Sequence, residues 1–205
     1  EATARYRSRN ELTRHLDAGA KHVVLCVPPT DDPDITVVMG VNHDQLKPSH
    51  RIISNSSITA HCAAPIVSLV DQAFGIERLF FTTIHAYTSD QRLADVPGDD
   101  MRRSRAASEN IIPTDTNASQ LLMQLFPQLD GKVSGMALKV PVPNGSLVDM
   151  TAFTRKPVTV NSVNEVVRTG IDARYKKTVE YAVDPIVSSD VKFSPNSSTF
   201  DSLAT

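Results

Sequence analysis

The chain has 205 residues, of which 40% are apolar and 21% charged, and a formal net charge of −2. That is enough for one large domain or two small ones around a buried core. The near balance of charge excludes bulk attraction to nucleic acid or to a membrane surface, and basic residues gather only at Arg102, Arg103 and Arg105.

Neither a signal peptide nor an apolar run long enough to span a bilayer is legible. Cys26 and Cys62 both lie in apolar settings, which argues against a disulfide framework and for a reducing, cytoplasmic compartment. The chain opens on Glu1 and closes on Ala204-Thr205, which reads as a piece of a longer protein.

Ser8 and Glu11 have capping-box spacing, and with Leu12, Leu16 and Gly19 they predict a helix from about Ser8 to Ala18. Residues 22–27, 35–39 and 51–54 read as short strands, the first stopped by Pro28-Pro29. Strand and helix alternate here as in an α/β unit with a partly parallel sheet. A helix is expected from about Ser57 to Phe74, closed by Gly75, with Ile58, Cys62, Ile66 and Val70 along one side and Pro65 inside it. Residues 77–85 alternate as a strand with Leu79, Phe81, Thr83 and His85 on one face. From Ala86 to about Thr114 no period holds, and a loop that long is commonly functional or part of an interface. A helix is expected over 117–129. Strands are expected over 134–142 and 146–155, joined as a hairpin at Pro143-Asn144-Gly145. Ser162 and Glu165 predict another capped helix. Strands over 179–183 and 186–188 and then a Ser-rich loop close an α+β second section.

Four places carry chemistry. Ser56, Ser57 and Thr59 put three hydroxyls at a helix start, where they serve either as ordinary caps or as an anion cradle. His85, ending an apolar strand beside a polar loop, is either a general base or a satisfied half-buried histidine. The three arginines, with Thr88 in the same loop, suit a phosphorylated small substrate or a subunit contact equally. Cys62, one turn into the helix body, reads as a core thiol before it reads as a nucleophile.

Together these residues resemble the glyceraldehyde-3-phosphate dehydrogenase family. The likeness rests on Ser54-Asn55-Ser56-Ser57-Ile58-Thr59-Ala60-His61-Cys62, on Thr82-Thr83-Ile84-His85-Ala86 and on residues 102–108 with 111–116. It is joined by Gly135-Met136-Ala137-Leu138-Lys139-Val140-Pro141 and Ser188-Ser189-Asp190. The arginine segment leans toward the erythrose-4-phosphate dehydrogenase branch.

The resemblance implies the latter part of a Rossmann domain over residues 1–57. It implies a catalytic domain over 58–205, with a mixed or antiparallel sheet, helices on one face, and the C-terminal helix missing. It implies NAD or NADP as cofactor, a phosphorylated aldose and inorganic phosphate as substrates, and a homo-tetramer or hetero-oligomer. Ile58 falls at the nucleophile position and His85 at the base. Ser57, Thr59, Thr116 and Asn117 fall at the inorganic-phosphate site, Thr88, Asp90, Arg103 and Lys139 around the substrate phosphate, and Tyr6 near the adenine. The glycine fingerprint is not among these residues. Three departures stand out. Ile58 replaces a cysteine and cannot attack a carbonyl. Asn117 replaces a glycine, and Lys139 an arginine, keeping charge without the fork. The expectation is a chain that forms no thioester, or else a silent homologue that binds nucleotide or joins an assembly.

Overall fold

A computed structural model describes all residues from Glu1 to Thr205. The first section carries helix α1 (Arg9–Asp17) and strands β1 (Val23–Leu25), β2 (Ile35–Thr36) and β3 (Ile52–Ser54). Ser8 and Glu11 close the capping box that their spacing announces. The three strands form one parallel sheet in the order β1-β3-β2. Leu12, Val23, Leu25 and Ile52 make its core. β2 is shorter than the expected 35–39. The Asn42 side chain bonds the backbone of Thr36 and Val38, replacing ladder partners, and Gly40 turns the chain at φ +84°.

Helix α2 (Ile58–Phe74) follows, capped by Ser57 and ended by Gly75, and runs unbroken through Pro65. Strand β4 (Ile76–Ala86) returns antiparallel to it. The helix spans about 25 Å at 1.5 Å per residue and the strand about 36 Å at 3.3 Å per residue, so the strand is long enough to run back along the whole helix. The end of β4 therefore comes back to the start of α2. Strands β5 (Ile112–Thr114), β6 (Val133–Val140) and β7 (Leu147–Thr154) complete a mixed sheet of order β5-β6-β4-β7. α2 and α3 (Ala118–Leu125) cover one face. Their small residues do the packing: Ala60, Ala63, Ala64 and Ala118 are essentially sealed against Leu79 and Phe81. The other face shows Phe80, Met136 and Phe153 to solvent.

Several expectations change. β6 and β7 are no hairpin, because β4 lies between them, parallel to β6 and antiparallel to β7. Pro141 and Pro143 keep the connecting residues out of a tight two-residue turn, so the link spans a whole intervening strand. α3 stops at Leu125 because Pro127 disfavours a helical Phe126, and a 3₁₀ turn (Pro127–Leu129) finishes the segment. The next helix, α4 (Val160–Gly170), is capped by Thr159, with Ser162 as the third helical residue answering it; Glu165 pairs with Arg168 instead. A π-turn (Ile171–Tyr175) that no sequence pattern announces extends it. Strand β8 (Val179–Ala182) pairs in parallel with β9 (Ser198–Asp201), which falls in the expected Ser-rich loop, while 186–188 is not a strand.

Candidate active site

Ile58 is the first helical residue of α2, and it is 75% exposed. Ser57 Oγ accepts from the Ala60 amide, so the cap is made. The Ile58 and Thr59 amides, first in the helix, have no intrahelical acceptor and sit at the positive end of the dipole. Ser56 holds the turn at φ +56°, with its hydroxyl buried and without a partner. Ser57 thus caps, and the free amides supply the anion-binding capacity expected of the hydroxyls.

The side of α2 that carries Ile58, Cys62, Ile66 and Val70 lines, with Thr59, a cavity of about 890 Å³, while Ile66 is buried against Val167 and Tyr175. His85 also lines this cavity, because strand alternation puts it on the helix-covered face with Leu79, Phe81 and Thr83. His85 Nδ1 lies 3.2 Å from Ser146 Oγ, which also accepts from the Ala86 amide. Burial first, and the Lys139 charge second, hold the imidazole below its ordinary pKa, so it is neutral at pH 7. Its Nε2 has no protein partner. Cys62 also lines this cavity, but burial pushes its thiol up to about 11. At pH 7 that leaves roughly one thiolate in ten thousand. Cys62 is thus a half-buried, protonated thiol and not a nucleophile.

A polar cluster lies on the other flank of His85. Thr88 Oγ1 donates to Asp90 and accepts from Lys139 Nζ at 3.2 Å. Arg103 gives one nitrogen to Asp90 Oδ2 at 2.8 Å and another to Thr114 Oγ1 at 3.1 Å, with Asp100 at 3.5 Å. Thr88, Asp90, Arg103 and Lys139 are thus brought together. Their charges, with Asp100, cancel, so an incoming phosphate competes with Asp90 for the Arg103 fork. The loop from 87 to 111 holds this shape through Asp95, which bonds the Ala106 amide and Arg105.

Thr116 caps the start of α3 by accepting from the Ala118 amide, and Asn117 makes no capping bond. Neither they nor Ser57 line the cavity. Tyr6 is 42% exposed beside the carboxyl end of β1, where Arg7 bonds the Pro28 carbonyl. Sequence reasoning missed Ser146, Thr114 and Asp100. Ser146 becomes legible only once β7 is known to lie against β4, where it continues the register past Ile84 and Leu147.

The family model for the C-terminal domain of glyceraldehyde 3-phosphate dehydrogenase matches residues 57–205. The chain belongs to the glyceraldehyde-3-phosphate dehydrogenase family. It is 45% identical to the glyceraldehyde-3-phosphate dehydrogenase of Geobacillus stearothermophilus over 206 aligned residues, covering 100% of this chain and 61% of that protein. It is 47% identical to the enzyme of that name from Mycobacterium avium, over 98% of this chain and 59% of the relative. The Mycobacterium leprae protein of the same name is 46% identical over the same shares. The chain thus spans about three fifths of the length of these curated relatives. In this family setting the mixed α/β fold, with helices on one face of the sheet, is the C-terminal dehydrogenase domain.

Proposed function

We propose that this chain is part of an oxidoreductase of the phosphorylating aldehyde dehydrogenase type, acting on an aldose phosphate, and that Ile58 has removed its covalent chemistry. On this reading residues 1–57 are the latter part of the NAD(P)-binding domain and 58–205 the catalytic domain. The observation that carries it is the placement of an exposed isoleucine at the helix start, lining one cavity with a neutral histidine. Isoleucine has no lone pair, so no thiohemiacetal or thioester forms there.

The remaining residues retain positioning roles. His85, oriented by Ser146, accepts or returns a proton through Nε2. Arg103, Lys139 and Thr88 bind the phosphate of the aldose, and the free amides at Ile58 and Thr59 favour a developing oxyanion. The residues present fit one side of a dinucleotide. Parallel strands β1 and β3 end together at Leu25 and Ser54, Tyr6 is exposed, and the buried Ser56 hydroxyl lacks a partner. When bound, NAD(P) supplies the hydride acceptor.

No helix of the chain is long and apolar enough to cross a membrane, and a cytoplasmic setting is part of this reading. So is assembly with further copies, which the bare sheet face favours: Phe80 and Phe153 stack edge to face on it, half exposed.

The test is Ile58→Cys in the complete gene product, assayed with glyceraldehyde 3-phosphate or erythrose 4-phosphate, phosphate and NAD or NADP. The unaltered protein is expected to show no thioester-dependent turnover, and the variant to gain it by at least about a thousandfold. Turnover by the unaltered protein overturns the reading. Continued silence of the variant, with partner binding intact, favours an assembly subunit.

A further inference from the structure

The link from β6 to β7 carries Asn144-Gly145, the one asparagine–glycine step in the chain. Asn144 is exposed, and the Gly145 amide makes a single hydrogen bond, donated at 2.8 Å to Oδ1 of the preceding Asn144. Because a C=O bond is about 1.2 Å long, Asn144 Cγ lies within about 4 Å of that nitrogen. Glycine has no Cβ to bar the approach. The three asparagine–serine steps differ. The Ser56 amide donates to Ser54 Oγ, the Ser162 amide to Thr159 Oγ1 and the Ser197 amide to the Thr178 carbonyl. Each of those nitrogens is held by another acceptor, whereas the Gly145 N–H points at the side chain before it.

We propose that Asn144 is a site of spontaneous modification, closing on Gly145 to a succinimide and opening to isoaspartate and aspartate, in the turn that sets Ser146 against His85. The reaction uses neither substrate nor cofactor, so it does not depend on the aldose-phosphate reading. Asn144, Gly145 and Ser146 line the same cavity as His85, and Ser146 Oγ lies 3.2 Å from His85 Nδ1. Isoaspartate lengthens the main chain by a methylene just ahead of Ser146. The turn has no slack to absorb it, since even a Cβ on Gly145 would come 2.1 Å from the Ser188 carbonyl oxygen. The Ser146–His85 contact is therefore displaced.

The steps balance with water alone. The Gly145 nitrogen gives its proton to solvent base and bonds to Asn144 Cγ as the carbonyl π pair moves to Oδ1. That pair returns, the bond from Cγ to the side-chain nitrogen breaks, and the nitrogen leaves with a proton from water as ammonia. Water then adds to one of the two imide carbonyls. Breaking the nitrogen–Cγ bond gives aspartate. Breaking the bond from nitrogen to the main-chain carbonyl carbon gives isoaspartate, with the chain now running through the former side chain. Either product adds a negative charge to the turn.

The test ages the complete gene product at mildly alkaline pH, folded and in urea. Conversion at each asparagine is followed by peptide mass spectrometry, and isoaspartate by enzymatic methylation. In the folded protein Asn144 is expected to convert at least about tenfold faster than Asn55, Asn161 and Asn196, a gap that narrows in urea where all four amides are released. Asn144→Gln, with its melting curve as folding control, should abolish the methylation signal. Conversion of folded Asn144 no faster than the other three, or more than about tenfold slower than in urea, overturns the proposal. In the isoaspartate fraction the His85 imidazole NMR signals are expected to move. If they stay in place while Asn144 converts, the link to His85 is refuted.

Discussion

At residue 58 the proposed loss of covalent chemistry rests on a single side chain, an exposed isoleucine that opens α2. Ser57 caps the helix, the first amides are free, and His85 faces the same cavity. The histidine has a testable pH signature. Its folded pKa lies below the ordinary value near 6.5, so the unfolded chain binds the proton more readily. The stability it contributes is complete above that ordinary value and falls as pH drops through it toward the folded pKa. Imidazole NMR should place the His85 midpoint below 6.5, and His85→Asn should flatten the acid side of the stability profile. Asp90 gives a second signature. Asp90→Asn removes the charge that occupies the Arg103 fork, and inorganic phosphate should then bind about two- to fivefold more tightly at low salt by calorimetry.

Elements respond through caps and turns. Ser57→Ala deletes the bond to the Ala60 amide. It should cost about 0.5–2 kcal/mol in urea unfolding. Gly145 turns the chain at φ +84°, and a Cβ there would meet the Ser188 carbonyl oxygen at 2.1 Å. Gly145→Ala should therefore cost more than the roughly 1–2 kcal/mol of a left-handed alanine alone, read from the same unfolding curves. This crossing also explains the failed hairpin. The Pro-Asn-Gly tripeptide signals a turn and does not encode which strands flank it. Here the turn instead carries the chain across β4 and presses against a loop about forty residues later. Likewise α4 begins three residues early because Thr159 and Ser162 satisfy the capping geometry that Ser162 and Glu165 match only in spacing.

Across the whole molecule, the first section joins the second at the π-turn. Arg174 donates to the Gly40 and Val41 carbonyls, and the Tyr175 ring fills the space where a Cβ on Gly40 would lie, 2.7 Å away. The Tyr175 hydroxyl is sealed in this contact without a partner. An unsatisfied buried hydroxyl costs on the order of 1–3 kcal/mol, so Tyr175→Phe should raise stability, seen as a higher denaturation midpoint at unchanged slope.

Local rules legible in the sequence held wherever the determining contacts are close along the chain. They include the Ser8–Glu11 box, the Ser57 cap and Gly75 stop of α2, and the alternation that sets His85 with Phe81 and Thr83. Motif order along the chain likewise placed it in its family. Tertiary structure alone decided which strands are neighbours, that Ser146 orients His85, and that alanines rather than the isoleucine stripe seal α2 to the sheet. It also closed Asp90 and Thr114 onto Arg103. The physical reason is range. Caps and turns are satisfied within four or five residues, whereas strand pairing and side-chain clusters depend on segments tens of residues apart, whose register no local pattern records.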